Sequence, residues 1–363
     1  MKTILLVFKA DIFDLPPMIT IIDSLKDKYK LKVITHLFEG DEEKFREMYK
    51  GNPVELITSH PLSKSRSKVE RLKNRLKRKQ FEAYIRGLFP TIDYDILWCI
   101  HEDTIMRFAD LFDGKKYIVS LYELNDTRQN ILKGIKKTVQ NAQSVYVPEY
   151  NRACITRCWL DLKKTPAVIP NKPLGHPLER NLPCVHQEYF DGKFTILYQG
   201  LVIEERKIDA YCEAVQDMND IQLVVMGNGY GAEDYRNSLK HKYPKVKFID
   251  FVTPPKHLNV TSNAQIGIVT YDYSTLNTIF CAPNKIWEYA GFGIPMIAND
   301  IPGLNDTVSK YHAGICVDTE DAEAIKEAIV KITSDYEFYK ESTLAFYNSC
   351  NIKELINKIV EEY

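Results

Sequence analysis

The stretch CAPNKIWEYAGFGIPMIANDIPG, residues 281–303, combines features that indicate both a fold and a binding site. Pro283 or Asn284 begins a predicted helix, two glycines end it, and the apolar segment after them is a predicted strand. A helix N-terminus exposes unpaired amides and the positive end of a dipole, so this one favours a phosphate group. Lys285 adds a cation there, and Glu288, one turn later, can accept hydrogen bonds from two neighbouring hydroxyls such as those of a ribose.

Short apolar segments alternate with longer segments of helical spacing on both sides of this stretch. In the first half they are ILLVF (4–8), LKVIT (31–35), DILWCI (95–100), YIVSLY (117–122), SVYVP (144–148) and AVIP (167–170). In the second half they are FTILYQG (194–200), IQLVVMG (221–227), VKFIDFV (246–252), IGIVTY (266–271), MIAND (296–300) and AGICV (313–317). The alternation predicts two doubly wound parallel sheets, whose ligands bind at strand carboxyl ends, so two such domains facing each other leave a cleft. Between the halves, VIPNKPLGHPLERNLP (168–183) has four prolines and no periodicity, which is typical of a linker.

The composition is that of a folded protein without an overall preference for nucleic acid. The 363 residues are 45% hydrophobic and 27% charged, with a formal net charge of −1, whereas nucleic-acid binding needs an excess of Lys and Arg. Eight cysteines without CxxC pairs indicate reduced thiols, and the apolar run in MKTILLVFKADIF is too short for a signal peptide. These features predict a cytoplasmic protein.

One segment departs from this neutrality. KSRSKVERLKNRLKRK (64–79) has nine basic residues and one Glu, and Val69, Leu72 and Leu76 share one helical face. Two interpretations fit: a helix attracted to anionic lipid at the inner face of the plasma membrane, or a solvated face rich in salt partners.

The opening stretch also resembles a known family. PNKIWEYAGFGIPMIANDIPG is similar to the donor-binding segment of GT-B glycosyltransferases of family four, in the subgroup that reads Pro-Asn-Lys, two residues, then Glu-Tyr. The resemblance covers most of the chain and is strongest in residues 194–317. It implies an acceptor-binding Rossmann-like domain (1–170), a linker (171–190), a nucleotide-sugar-binding Rossmann-like domain (191–345) and a C-terminal helix (346–363) that returns to the first domain.

The resemblance assigns a basic residue to the nucleotide diphosphate. LYQGLVIEERKIDAYCEAV (197–215) is similar to the family's first C-domain strand, loop and helix, and Arg206 falls at the position that holds the diphosphate. Arg206, Lys285 and the amides near Asn284 and Ile286 would then stabilise charge on the departing diphosphate. No side chain stands out as a nucleophile, so the family's front-face displacement with retention is expected.

Two further segments resemble the family's donor contacts. VVMGNGY (224–230) is similar to its glycine turn, where Gly227 and Gly229 would let backbone approach the donor, and FVTPPKHLNVTSNAQIGIVTY (251–271) is similar to the segment that frames the nucleobase, with Val252 beside it. Each segment alone also fits an ordinary turn between a strand and a helix.

In the first domain, CIHEDT (99–104) follows a strand and is similar to the family's His-acidic pair near the reacting sugar. His101 would hydrogen-bond a sugar hydroxyl and Glu102 would orient it, although a histidine after a strand is often structural. YELND (122–126) resembles a second acidic turn, with Glu123 facing the cleft.

The sequence departs from the family at two places. KADIFDLPP (9–17) has no glycine where the family has a glycine-rich loop, which leaves acceptor binding there open. Phe280 replaces the first Glu of the family's carboxylate pair, a loss that is frequent in this subgroup. Asp93-Tyr94-Asp95 stands before a strand and is interpreted as a strand edge, so neither a metal nor a cofactor is expected beside the sugar nucleotide.

The function that the resemblance implies is retaining transfer of a sugar from a UDP- or GDP-sugar to a hydroxyl of a lipid-linked or oligosaccharide acceptor. Bacterial surface polysaccharide or glycoconjugate synthesis is the expected context. Two alternatives remain open: a non-hydrolysing sugar-nucleotide epimerase, and a catalytically silent subunit that binds sugar nucleotides.

Overall fold

The computed structural model describes residues 1–65, 67–190, 192–229 and 233–363, and these form two compact units. The first unit comprises Met1–Leu174 together with Asn351–Tyr363, and the second comprises Gly175–Cys350. Arg66 of the basic segment and Tyr230 of the predicted glycine turn lie outside the described residues.

The first unit contains a seven-stranded parallel sheet. Its strands are β1 (Thr3–Val7), β2 (Lys30–Ile34), β3 (Val54–Ile57), β4 (Ile96–Ile100), β5 (Ile118–Ser120), β6 (Ser144–Val147) and β7 (Ala167–Val168), in the order β3-β2-β1-β4-β5-β6-β7. Its helices include α1 (Pro16–Leu25), α2 (Asp41–Met48), α3 (Lys68–Leu88), α4 (Glu102–Phe108), α5 (Gln129–Asn141) and α6 (Tyr150–Leu160). All residues of β4 are buried, as are Ile4–Val7 of β1, because helices cover both faces of a parallel sheet.

The second unit contains a six-stranded parallel sheet. Its strands are β8 (Phe194–Gln199), β9 (Ile221–Met226), β10 (Lys247–Ile249), β11 (Ile266–Val269), β12 (Met296–Asn299) and β13 (Gly314–Val317), in the order β10-β9-β8-β11-β12-β13. Its helices include α7 (Asp209–Ala214), α8 (Glu233–Lys242), α9 (His257–Thr261), α10 (Leu276–Ile279), α11 (Asn284–Gly291), α12 (Pro302–Leu304), α13 (Ala322–Ser334) and α14 (Tyr336–Asn348).

A last helix, α15 (Ile352–Glu361), belongs to the first unit. Its buried face packs against α1, where Asn357 Nδ2 donates to the Ser24 carbonyl at 3.1 Å, and Lys353 lies 2.9 Å from Asp27. The predicted segment 346–363 is therefore shared between the two units: residues 346–350 belong to the second unit and the remainder to the first.

The Asp-Tyr-Asp sequence lies at the amino ends of the strands. Asp95 accepts a hydrogen bond from the Thr3 amide at 2.7 Å and returns one from its own amide to the Thr3 carbonyl at 2.8 Å, just before β1 and β4 begin to pair. It therefore fastens two strand starts at the sheet edge opposite the strand carboxyl ends. Within the described ranges, no group of three or more His, Cys, Asp or Glu side chains is arranged to hold a metal ion.

In the part of the chain that the structure describes, no helix combines the length and the apolar character needed to cross a bilayer.

Candidate active site

The strand order of the second sheet places its binding edge between β8 and β11. These neighbouring parallel strands are not consecutive in sequence, so the chain leaves them in opposite directions and their carboxyl ends border a crevice. Gln199 ends β8 and Gly200 follows it, while Thr270 and Tyr271 follow β11. The Tyr271 amide donates to Asn299 Oδ1 at 2.6 Å, which fixes this edge to the end of β12.

Two glycines let the backbone close tightly at this edge. Gly200 and Gly227 have φ values of +142° and +136°, which other residues rarely adopt. A Cβ atom on Gly227 would lie 1.9 Å from the Gly200 carbonyl oxygen. Gly229 is buried nearby in sequence, and Val252 is half-buried against the core of the unit.

Two cations lie at this edge, and they share one aromatic ring. Lys285 Nζ donates to the Gln199 carbonyl at 2.7 Å and lies 5.0 Å and 5.8 Å from the ring centroids of Tyr198 and Tyr271. The Arg206 guanidinium carbon lies 4.2 Å from the centroid of Tyr271. The structure therefore brings together the two basic residues that the sequence predicted, although they are far apart in the chain.

This arrangement leaves cationic donors available to an anion. Burial, with a further contribution from the neighbouring Arg206, lowers the pKa of Lys285 to about 7, and Glu288 opposes the shift. Among the described residues, Arg206 Nη1 is buried without a hydrogen-bond partner. An anion placed between the two side chains would supply that partner and favour the charged form of Lys285.

The first backbone amides of α11 are adjacent in sequence to Lys285. The helix begins at Asn284, and Pro283, its N-cap, makes no side-chain capping hydrogen bond. The first amides of a helix have no partner within the helix. Asn284 is half-buried and the Ile286 side chain is buried in the core, so Ile286 offers its amide rather than its side chain.

Glu288 is held by side chains from two other elements, β8 and α9. Its Oε2 accepts a hydrogen bond from Gln199 Nε2 at 2.6 Å, and its Oε1 lies 3.3 Å from His257 Nε2. Gln199 in turn accepts a hydrogen bond from the Thr261 hydroxyl at 2.5 Å. The Glu288 side chain is 16% exposed, so lone pairs of a fixed carboxylate remain within reach of a ligand.

In the first unit, His101 follows β4 with a φ of +78°, an uncommon value for a residue with a side chain. Its Nδ1 accepts a hydrogen bond from the Asp103 amide at 3.2 Å and so caps α4. The ring stacks on Tyr122 with centroids 6.4 Å apart. Because Nδ1 is the acceptor in the cap, Nε2 carries the proton and is the donor atom of the ring.

Glu102 contacts backbone in the structure. Its Oε1 accepts hydrogen bonds from the amides of Tyr122 and Glu123 at 2.8 and 2.9 Å, and burial raises its pKa. The carboxylate thus fixes the segment after β5, and its Oε2 lies 3.5 Å from His101 Nδ1. This geometry favours an indirect role for Glu102, while the Glu123 side chain is exposed.

The loop after β1 is fixed by a carboxylate, although it has no glycine. Asp11 accepts hydrogen bonds from the amides of Phe13 and Phe38 at 2.9 and 2.8 Å, which join the loops after β1 and β2. Burial raises the pKa of Asp11 to about 6.

Beside this loop is a cavity of about 100 Å³, room for about three waters at roughly 30 Å³ each. Its lining includes Lys9, Asp14, His36 and Arg78. His36 stacks on Phe81 at 4.2 Å and donates through Nε2 to the His60 carbonyl, and burial lowers its pKa to about 4. The cavity therefore offers a neutral imidazole together with charged groups of both signs, a mixture suited to hydroxyl groups.

The chain was compared with known proteins. Residues 193–335 match the family model described as glycosyl transferases group 1. No curated protein sequence matches the chain. The solved structures that it resembles include HepE of Anabaena in complex with UDP (TM-score 0.73, 14% identity, covering 100% of this chain and 99% of that one). Sucrose-phosphate synthase of Thermosynechococcus elongatus is also similar (TM-score 0.68, 16% identity, 100% and 99% covered).

A third similar structure is the trehalose-6-phosphate protein of E. coli bound with UDP-2-fluoro glucose (TM-score 0.68, 12% identity, 99% of this chain and 98% of that one). These likenesses extend over both units and agree with the two parallel sheets described above. Their identities are low, so they establish the fold, while the family model identifies the domain that carries the two cations and Glu288. The chain therefore has the GT-B fold, and its residues 193–335 match the glycosyl transferases group 1 family.

Proposed function

We propose that the chain transfers a sugar from a UDP-sugar to a hydroxyl acceptor with retention of anomeric configuration. The observation that carries the proposal is the pair Arg206 and Lys285, which meet at Tyr271 beside the N-terminus of α11. The structure of HepE has been solved with UDP-glucose, which supports UDP as the nucleotide of the donor, with GDP as the alternative. Lipid-linked and oligosaccharide acceptors of surface polysaccharide or glycoconjugate synthesis fit this activity.

In the proposed mechanism the donor diphosphate lies against Arg206, Lys285 and the first amides of α11. Negative charge grows on the diphosphate as the bond to the sugar breaks, and preorganised cations and amides stabilise that charge. The leaving phosphate oxygen takes the acceptor proton on the face from which it departs, which accounts for retention without a protein nucleophile. His101 Nε2–H is proposed to hold a sugar hydroxyl.

Incubation of the purified protein with UDP- and GDP-sugars tests the proposal. Slow hydrolysis of a UDP-sugar, or transfer to an added acceptor, supports a transferase. Interconversion to a second sugar nucleotide would instead indicate an epimerase, and binding without turnover would indicate a silent subunit.

Replacement of Glu288 by Gln is expected to weaken UDP binding by about 1–3 kcal/mol, because a carboxylate that accepts hydroxyl hydrogen bonds becomes neutral. The 2′,3′-dideoxy analogue of UDP has no ribose hydroxyls at these positions, so its affinity should change much less. Calorimetric titration of both ligands against both proteins gives a double-mutant cycle. An equal loss for the two ligands would remove Glu288 from the ribose site and indicate only that the contacts with Gln199 and His257 were disturbed.

Donor binding is expected to take up a proton above pH 7. The pKa of Lys285 is about 7 in the free protein, and a diphosphate beside the ammonium raises it. At pH 8 most Lys285 is therefore neutral before binding and charged after it, whereas at pH 6 it is charged in both states. The affinity for UDP-glucose should rise as the pH falls from 9 to 7 and level off below 7.

Calorimetry at pH 8 in buffers of different ionisation enthalpy measures this uptake. UDP-glucose is the appropriate ligand because its diphosphate is esterified at both ends and does not titrate in this range. Lys285→Arg is the control, since a guanidinium stays charged and should abolish the uptake. Equal uptake in both proteins would assign the proton to another group.

A further inference from the structure

The outer face of α3 has an apolar ridge. Asn74 and Phe81 lie on the buried face of this helix. Val69, Leu72 and Leu76 are 63%, 68% and 59% exposed, and at about 100° per residue they lie on the opposite side of the helix. Three large apolar side chains within two turns thus face away from the core of their unit.

The basic residues around this ridge divide into two sets. Three have carboxylate partners within 3.0 Å: Lys64 with Asp41, Lys73 with Glu70, and Lys77 with Glu39. Four have no ion pair with any described residue: Lys68, Arg71, Arg75 and Lys79. Arg78 has none either, but it lines the cavity beside the loop after β1. Salt partners within the chain therefore account for the smaller set, and the larger set is available to an external anion.

We infer that α3 lies on an anionic bilayer surface, with the ridge inserted at the boundary of headgroups and acyl chains and the unpaired cations against lipid phosphates. The ridge is narrow, whereas a stable protein interface buries about 800 Å² per partner. Interfacial helices need only a shallow apolar face when flanking cations are drawn to anionic lipid. Both features of α3 thus fit a bilayer better than a protein partner.

The same helix also lines the cavity beside the loop after β1. Arg78, Phe81 and Glu82 contribute to its lining together with Lys9 and His36. A transferase that α3 holds on the bilayer would meet its acceptor hydroxyls on a lipid anchor. The inference rests on the proposed transferase function for this step and selects the lipid-borne acceptor over a free oligosaccharide.

Vesicle flotation tests the membrane contact with phosphatidylcholine alone and with 30% phosphatidylglycerol added. The wild-type chain should float with anionic vesicles only, and less at 0.5 M than at 0.1 M salt. The ridge variant combines V69Q, L72Q and L76Q, and the charge variant combines K68Q, R71Q, R75Q and K79Q. Loss of four cations should lower vesicle binding on the order of 1,000-fold, and loss of the ridge at least about tenfold.

A matched control removes four exposed lysines from elsewhere in the first unit: K133Q, K137Q, K163Q and K164Q. It should float as the wild type does. If it lost as much vesicle binding as the charge variant, the effect would come from overall charge, and the inference would be overturned. Absence of wild-type binding to anionic vesicles would also overturn it, as would a dimer in sedimentation velocity that the ridge variant dissociates.

Calorimetry with UDP separates this inference from the proposed function. All three variants should bind UDP as the wild type does, because the changed residues lie outside the proposed donor site. Vesicle binding without UDP binding would refute the donor proposal and leave the membrane surface in place. UDP binding without vesicle binding would refute the membrane surface and leave the donor proposal in place.

Discussion

Alanine at Arg206 or at Lys285 is expected to raise the activation free energy of sugar transfer by about 2–4 kcal/mol, which lowers the rate roughly 30- to 1,000-fold. Each change removes a cation that faces the diphosphate as its charge grows, and the two cations flank one tyrosine ring. Because the effect is greatest where charge is greatest, kcat should fall more than the affinity for UDP. Steady-state kinetics with the identified donor and direct titration of UDP measure the two quantities.

Lys207→Gln is the matched control for both variants. Lys207 follows Arg206 directly, but its side chain is half exposed and lies 3.7 Å from Glu320. Its loss should leave transfer nearly unchanged. Lys285→Arg keeps the charge but not the short bond to the Gln199 carbonyl, so an intermediate rate is expected. Wild-type rates in the two alanine variants would remove these cations from the reaction.

Gly227→Ala is expected to destabilise the second unit by at least about 3 kcal/mol, because the new Cβ would lie 1.9 Å from the Gly200 carbonyl oxygen and the backbone has a φ of +136°. The atoms that the new Cβ would meet belong to the Gly200 backbone and not to a flexible side chain. The backbone segments at Gly200 and Gly227 must therefore move apart. For a unit of this size the midpoint of thermal unfolding should fall by roughly 6–12 °C. UDP binding should also weaken, since the Lys285 partner Gln199 moves with this edge.

Gly192→Ala separates the steric clash from backbone strain alone. Gly192 has a φ of +69°, and among the described residues no atom of a non-neighbouring residue lies within 4 Å of the position that its Cβ would take. Its replacement should cost about 1 kcal/mol. If calorimetric scanning gave equal losses for the two variants, the close approach of Gly200 and Gly227 would not be a determinant of stability.

The buried strands were predictable because a parallel strand covered on both faces reads as a continuous apolar run. ILLVF and DILWCI predicted β1 and β4 within two residues. The four residues of β3 were not predicted. This strand lies at the sheet edge, where Glu55 is exposed and only Ile57 is buried, so its sequence has no apolar run to recognise.

The site was predictable where its residues share one helix. Lys285 and Glu288 lie three residues apart, and helical spacing alone places them near each other. Gln199, His257 and Thr261, which hold the Glu288 carboxylate, come from other segments, and no local pattern indicates which loops meet. A strand end followed by Gly200 was the one available signal for Gln199.

The direction in which the Glu102 carboxylate faces could not be predicted from the sequence, for a different reason. An acidic residue after a strand predicts only that a carboxylate is near the sheet edge. Whether it faces a ligand or backbone amides depends on the path of the segment after β5, which passes close enough for Tyr122 and Glu123 to donate to it.

Because α15 comes from the far end of the chain, the first unit is assembled from residues separated by more than 170 positions of intervening sequence. During synthesis, α1 must wait for almost the entire chain to be translated before Asn357 can reach the Ser24 carbonyl. The second unit, in contrast, is continuous and has all its strands and helices as soon as Cys350 has left the ribosome. The first unit is therefore the later of the two to complete its fold, and translation that stopped between Cys350 and α15 would damage the unit whose synthesis began first.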